Sequence, residues 1–335
     1  MSDFRGKAAS LYPYSVPIIL TGLISAIASI LPTNTNEYDF PPFIVFAFYT
    51  FVLIVICRPL WLVFSRHPEP TKQILTDIKD RWPWLIACLV SGFSLAQTVD
   101  MVMRIKVIIP ELVPFYADPV FLKMDRILFF GQDAWRISHA IIGTGLTRLL
   151  DQIYVGWHFF QVALYVFATV NTNRMLQLRV VITVQLCWIF LGGAMALLAS
   201  SVGPCFYKEF YGAETFTPLL TTLEEKGADW AILGFSYLLD PDSGIGAGIS
   251  AMPSMHVSIA TIFALVLRDW KPSYQVFAWL YALIIFLGSF HLGWHYAVDG
   301  IVAALATGAI WVATGKLVDH VGRHPERATN GQNRN

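Results

Sequence analysis

Of 335 residues, 56% are apolar and only 14% are charged, and the mean hydropathy is +0.56, which excludes an ordinary soluble domain and points to a polytopic membrane protein. The formal net charge is zero, so the sequence lacks the basic excess that a nucleic-acid partner needs. Four cysteines are present; Cys57, Cys88 and Cys187 lie in apolar runs and Cys205 in a loop, which is no disulfide framework.

Eight apolar runs approach the roughly 20 residues that a ~30 Å hydrocarbon core requires. They fall near 14–31, 43–64, 82–103, 152–170, 180–201, 253–270, 274–292 and 295–315. The expected architecture is all-α, a single integral membrane domain over 1–315 with its catalytic core in about 150–315, followed by a polar tail over 316–335 without structure of its own. Ala26-Ile27-Ala28 in the first run resembles a signal-peptidase box. The apolar stretch is long for a signal sequence, so a retained span is expected.

Orientation follows from the distribution of Lys and Arg. With both termini cytoplasmic, fifteen of the 23 basic residues fall inside and eight fall in two long outer segments, 104–151 and 202–252. Pieces of these segments are amphipathic, such as Pro119 to Phe130, and should lie in the interface. The Gly244-Ile245-Gly246-Ala247-Gly248 stretch suggests a lid over an outward-facing site. No internal repeat is evident.

Two short stretches stand where apolar runs begin. The first is Ser250-Ala251-Met252-Pro253-Ser254-Met255-His256, and the second is His295-Tyr296-Ala297-Val298-Asp299. Ionisable residues in membrane segments are costly, and this topology brings three of them to the outer face. Pro253 suits a first helical turn, after which the Ser254, Met255 and His256 amides could seat a phosphate, with the Ser254 hydroxyl and the His256 imidazole beside it. His295 and Asp299 are four apart, so on a helix they share a face, and the carboxylate fixes the imidazole tautomer. His295 is then a nucleophile and His256 an acid and base.

These residues resemble the phosphatidic acid phosphatase type 2 superfamily, with Pro-Ser-Met-His similar to its Pro-Ser-Gly-His motif and His-Tyr-Ala-Val-Asp similar to its His-x-x-x-Asp motif. Pro-Ser-(apolar)-His and His-Tyr-x-x-Asp look most like the inositol phosphorylceramide synthase branch, and Val202-Gly203-Pro204-Cys205-Phe206-Tyr207 is similar to a Pro-Pro-Trp-Tyr segment there. The resemblance implies that His256, His295 and Asp299 are catalytic. It implies a lipid phosphotransferase taking a phospholipid donor and a lipid acceptor such as ceramide, without metal or cofactor, its site facing the exterior, periplasm or a lumen. A lipid phosphate phosphatase is the alternative activity, and a lipid-binding or transport protein the alternative class.

Two elements of the superfamily pattern are missing. No Lys-x6-Arg-Pro is present, since Arg58-Pro59 lacks the preceding Lys, and Gly288-Ser289 stands where a Ser-Arg pair is expected. The phosphate-binding cation therefore has to be found among Lys123, Arg126, Arg136, Arg148, His158 and Lys208, with His158 and Arg126 foremost; Tyr207 joins Ser254 and Met255 as a further substrate-binding candidate. The outer arginines could equally hold anionic headgroups. A lone membrane histidine is usually a helix-contact residue, and Asp100, near the outer end of the third span, reads as a polar helix–helix bond or an interfacial residue rather than a substrate contact. The His291/His295 spacing could ligate a metal, but Gly293 breaks the helix between them.

Overall fold

A computed structural model describes residues 10–30, 59–239 and 248–332, with side chains described as far as 321. Among these residues the chain is helical and contains no strand. The helices are α1 (Ser15–Ile30), α2 (Pro70–Leu112), α3 (Asp118–Leu128), α4 (Ala134–Ile142), α5 (Thr147–Val155), α6 (Trp157–Val170), α7 (Arg174–Leu198), α8 (Tyr207–Tyr211), α9 (Thr217–Glu225), α10 (Asp229–Leu239), α11 (Met255–Trp270), α12 (Gln275–His291) and α13 (Ala297–Gln332).

Six helical segments among the described residues are long and apolar enough to cross a membrane: Tyr12–Ile30, Pro70–Leu112, Thr144–Val170, Arg174–Leu198, Pro272–His291 and Ala297–Val321. Of the two other expected spans, 253–270 is the 16-residue α11, and most of 43–64 lies outside the described residues. Two boundaries differ from the sequence reading. α2 continues past 103 to Leu112 with Pro83 and Pro110 inside it, and α13 continues past 315 to Gln332. The first difference matters below, because it moves Lys106 from a loop into a helix.

α11 is the hub of the bundle. It packs against α12, α13, α6 and α7, and from Met255 to Val266 most of its residues are buried. A helix that is apolar all round belongs at the centre of a membrane bundle rather than at its rim. Within α7 the Cys187–Met195 stretch is π-helical, a distortion often found beside functional sites.

Polar side chains tie the helices together, as they must where lipid offers no hydrogen bonds. The Gln185 amide nitrogen of α7 lies 3.0 Å from the Thr21 hydroxyl of α1 and 2.9 Å from the Thr98 hydroxyl of α2. Thr183 meets Thr314 at 2.7 Å and Ser258 meets Thr307 at 2.8 Å, joining α13 to α7 and α11. At the opposite end of α11 from His256, Arg179 bonds Asp269 at 2.8 Å and lies 4.0 Å over the Trp311 ring. The bond that Asp100 makes lies within α2, to Arg104 one turn along at 3.1 Å.

Gln185→Leu removes the donor that α1 and α2 share. Unfolding of the purified protein in mixed detergent should show a loss of about 1–2 kcal/mol; unchanged stability would remove Gln185 as the tie between these helices.

Candidate active site

The two histidine stretches meet at one end of the bundle. The His256 and His295 rings lie 6.1 Å apart, centre to centre, at an interplanar angle of 63°. Both line a cavity of about 460 Å³, together with Tyr154, Trp157, His158, Lys106, Trp294 and others. Its walls come from α2, α5, α6, α10 and the 248–251 approach to α11.

Local structure explains how each imidazole is held. α11 starts at Met255, with Ser254 as its N-cap: the Ser254 hydroxyl accepts from the Val257 amide at 3.4 Å. Pro253 therefore precedes the helix instead of opening it, and its bond to Met252 is cis. The Ser254 amide donates to the Asp299 carbonyl at 3.3 Å, so it is not left for an anion, whereas the hydroxyl, which accepts from Val257, keeps its own proton to donate. The Met255 and His256 amides occupy the first turn, where no preceding carbonyl of the helix reaches. His256 is flanked by Tyr154, stacked at 4.5 Å and 18°, and by Trp157 at 4.2 Å. Trp157 also donates its indole N–H to the His256 carbonyl at 3.0 Å.

His295 sits two residues before α13, so it does not stack with Asp299 on a regular helical face. Its Nδ1 lies 2.7 Å from the Ala251 carbonyl and 3.4 Å from Asp299 Oδ2. A carbonyl oxygen only accepts, so Nδ1 carries the proton and Nε2 keeps the lone pair. The expected role of the carboxylate in fixing the tautomer thus falls chiefly to a main-chain carbonyl. Asp299, fully buried, lies beside the ring and accepts the Tyr296 amide at 3.0 Å.

The segments outside the spans are pinned by aspartates that no motif marked. Asp125 of α3 accepts the Ala297 and Val298 amides at 2.8 and 2.9 Å, capping α13 at its N-terminus. Asp118 accepts the Val202 amide at 2.9 Å and the Gly203 amide at 2.8 Å, and the Tyr211 and Tyr296 hydroxyls at 3.0 and 3.1 Å. Asp151 accepts the Trp230 and Ala231 amides, both at 2.9 Å, at the start of α10. Gly203 is required at its place: its φ is +87°, and a Cβ there would stand 2.7 Å from the Trp294 carbonyl oxygen.

The other sequence candidates divide. Met255 and His158 line the cavity; the His158 ring is 6.3 Å from that of His256. Arg126 does not line it, because its guanidinium bonds Asp133 at 2.6 Å. Lys208 is exposed and pairs with Glu214 at 2.9 Å. Tyr207 is buried against Tyr211 and Phe216, away from the cavity; from the same turn it is Phe206 that reaches the wall. On this turn of α3 it is Asp125, beside Arg126, that faces the second histidine stretch. His291 has both ring nitrogens engaged, with Thr147 at 3.0 Å and Ser138 at 3.1 Å. The 240–247 part of the expected lid lies outside the described residues.

The two histidines thus share one helix-end cavity of a polytopic helical protein. The chain belongs to the PAP2 superfamily: that family's model matches residues 120–313, which include both histidine stretches. Membership supports a lipid phosphatase or phosphotransferase type of activity. Neither a curated protein nor a solved structure matches the chain significantly.

Burial, reinforced by Asp299 and Asp133 nearby, pushes the Asp125 carboxyl up to about 6 although two amides donate to it. A carboxyl raised above its unfolded value favours the folded state while protonated, so this contribution is present below about pH 4 and is lost as pH rises towards 6. Asp125→Asn cannot ionise. Its stability relative to the native protein should therefore improve by up to about 3 kcal/mol between pH 4 and pH 6.5; a difference that does not change with pH would contradict the assignment.

Proposed function

We propose that this protein is a membrane lipid phosphotransferase that moves a phosphorylated headgroup, phosphoinositol for example, from a phospholipid to a lipid hydroxyl such as that of ceramide. The observation that carries this reading is the His256/His295 pair, 6.1 Å apart across one cavity, with Nδ1 of His295 tied back so that Nε2 is the reactive nitrogen. In the first step Nε2 attacks phosphorus and the P–O bond to diacylglycerol breaks. Protonated His256 gives the leaving oxygen its proton. In the second step neutral His256 takes the proton of the acceptor hydroxyl, whose oxygen attacks phosphorus as the P–N bond breaks. The imidazole returns to its starting state, and each atom lost by the donor is gained by the acceptor.

The lining of the cavity supports transfer over hydrolysis as the reading. Trp157, Trp188, Trp230, Trp294 and Phe206 form much of its lining, a surface that welcomes lipid chains and disfavours a reactive water. The positive-inside distribution supports a site opening to the exterior, periplasm or a lumen, reached by both lipids from the membrane.

Purified protein incubated in detergent with labelled phosphatidylinositol, with and without ceramide, tests this. Product that appears only with ceramide is expected; release of inositol phosphate or phosphate without ceramide would replace the transferase by a phosphatase. His295→Ala should abolish product formation, a fall of ~10⁴-fold or more for a missing nucleophile. His256→Ala should lower the rate by ~10²–10⁴-fold. Ceramide-dependent turnover surviving in His295→Ala would point to a different nucleophile.

A further inference from the structure

The matched family segment supplies two histidines and an aspartate but brings no Lys or Arg into the cavity, because Arg126 and Lys208 are spent on Asp133 and Glu214. A phosphodiester entering there keeps a negative charge, and the one positive imidazole, His256, gives up its proton to the leaving oxygen during the reaction, so a cation that stays charged is still needed. The structure assigns the missing positive charge to Lys106, on a helix outside the matched segment, as the residue that binds the donor lipid's phosphate. This inference rests on the phosphotransfer reading above and names the group that holds its substrate.

Three observations carry it. Lys106 lines the same cavity as His158, His256 and His295. It stands on α2 among buried apolar neighbours, Ile105, Ile108 and Ile109. Second, no carboxylate pairs with it among the described residues. Asp151 shares the cavity wall, yet both its oxygens accept main-chain amides of α10. An ammonium group against apolar walls is costly until an anion joins it, and a charge-assisted bond is strongest where water is scarce.

The third observation is the way the chain is built around this lysine. A Cβ on Gly248 would come within 2.8 Å of the Lys106 Cβ and 3.0 Å of its carbonyl carbon. The backbone at Gly248 therefore lies directly against Lys106, and three residues later comes Ala251, whose carbonyl orients His295. One stretch of backbone thus places the cation and the nucleophile beside the same cavity. α2 had to run beyond the end its hydropathy indicates for this to happen.

Binding can be read from tryptophan fluorescence of the full-length protein, since Trp157, Trp230 and Trp294 line the cavity. The probes are dioctanoyl phosphatidic acid, dioctanoylglycerol as its uncharged counterpart, and inorganic phosphate. Lys106→Met should weaken phosphatidic acid binding by about tenfold or more while leaving dioctanoylglycerol unchanged, and Lys106→Arg should stay within about threefold of the native protein. Competition by inorganic phosphate that is lost in Lys106→Met would identify free phosphate as sufficient. Phosphatidic acid selectivity without such competition would identify a lipid-borne phosphate; either result supports the anchor. Equal weakening of both lipids, or unchanged phosphatidic acid binding, would overturn it. If Lys106→Met does not fold, acetylation of Lys106 in the native protein, followed by mass spectrometry, gives the answer: phosphatidic acid should protect it, and unaltered labelling would overturn the proposal. Native protein that shows ceramide-dependent turnover but no role for Lys106 loses only this inference. Native protein that forms no product from phosphatidylinositol and ceramide loses the phosphotransfer reading as well.

Discussion

Two hydrogen bonds between the approach to α11 and the start of α13 hold the site together. His295 donates to the Ala251 carbonyl at 2.7 Å, and the Ser254 amide donates to the Asp299 carbonyl at 3.3 Å. They lock two helix starts side by side, fix the tautomer of one histidine and set its distance from the other. A change in either would alter the geometry of both imidazoles at once, because Ala251 and His256 are only five residues apart on one short path. Such irregular backbone at the end of a membrane bundle persists only if its own polar groups are satisfied.

That condition explains the three buried aspartates. Asp118, Asp125 and Asp151 each accept pairs of main-chain amides from segments far away in sequence, and burial raises the carboxyls of Asp118 and Asp125 above the usual carboxylate range. A carboxylate offers two acceptor oxygens, so one side chain can close a helix start or a tight turn that no other donor or acceptor reaches. The dipole of α13 is met by Asp125. At the start of α11 the N-cap serine takes the third amide of the helix, while the first two lie beside the His256 ring. The two helix starts thus differ in use: one is neutralised as a support, the other borders the cavity.

Much of this could be read from the residues alone. The apolar runs gave the helical membrane class, and the His256 and His295 stretches marked where the bundle ends meet, because their spacing carries its own chemistry. The supports were not legible. Asp118, Asp125 and Asp151 bond to residues about 80 to 170 positions away, and no local pattern encodes so distant an amide. Pairing also decides the fate of the basic residues: Arg126 is a candidate by its place in an outer segment, yet Asp133, seven residues later, claims its guanidinium. Lys106 was hidden by hydropathy, which ends the third span near 103 although the helix continues. The role given to Asp299 in orienting His295 rested on a regular helical face, and α13 starts two residues too late to provide it.

The most direct measurement is to quench the protein during turnover of lipid labelled in the phosphate and map the covalent label by mass spectrometry. An acid-labile, base-stable phosphoramidate on the His295 peptide is expected, accumulating when the acceptor lipid is withheld. Label on His256, or turnover with no covalent intermediate on either histidine, would contradict the assignment of His295 as nucleophile.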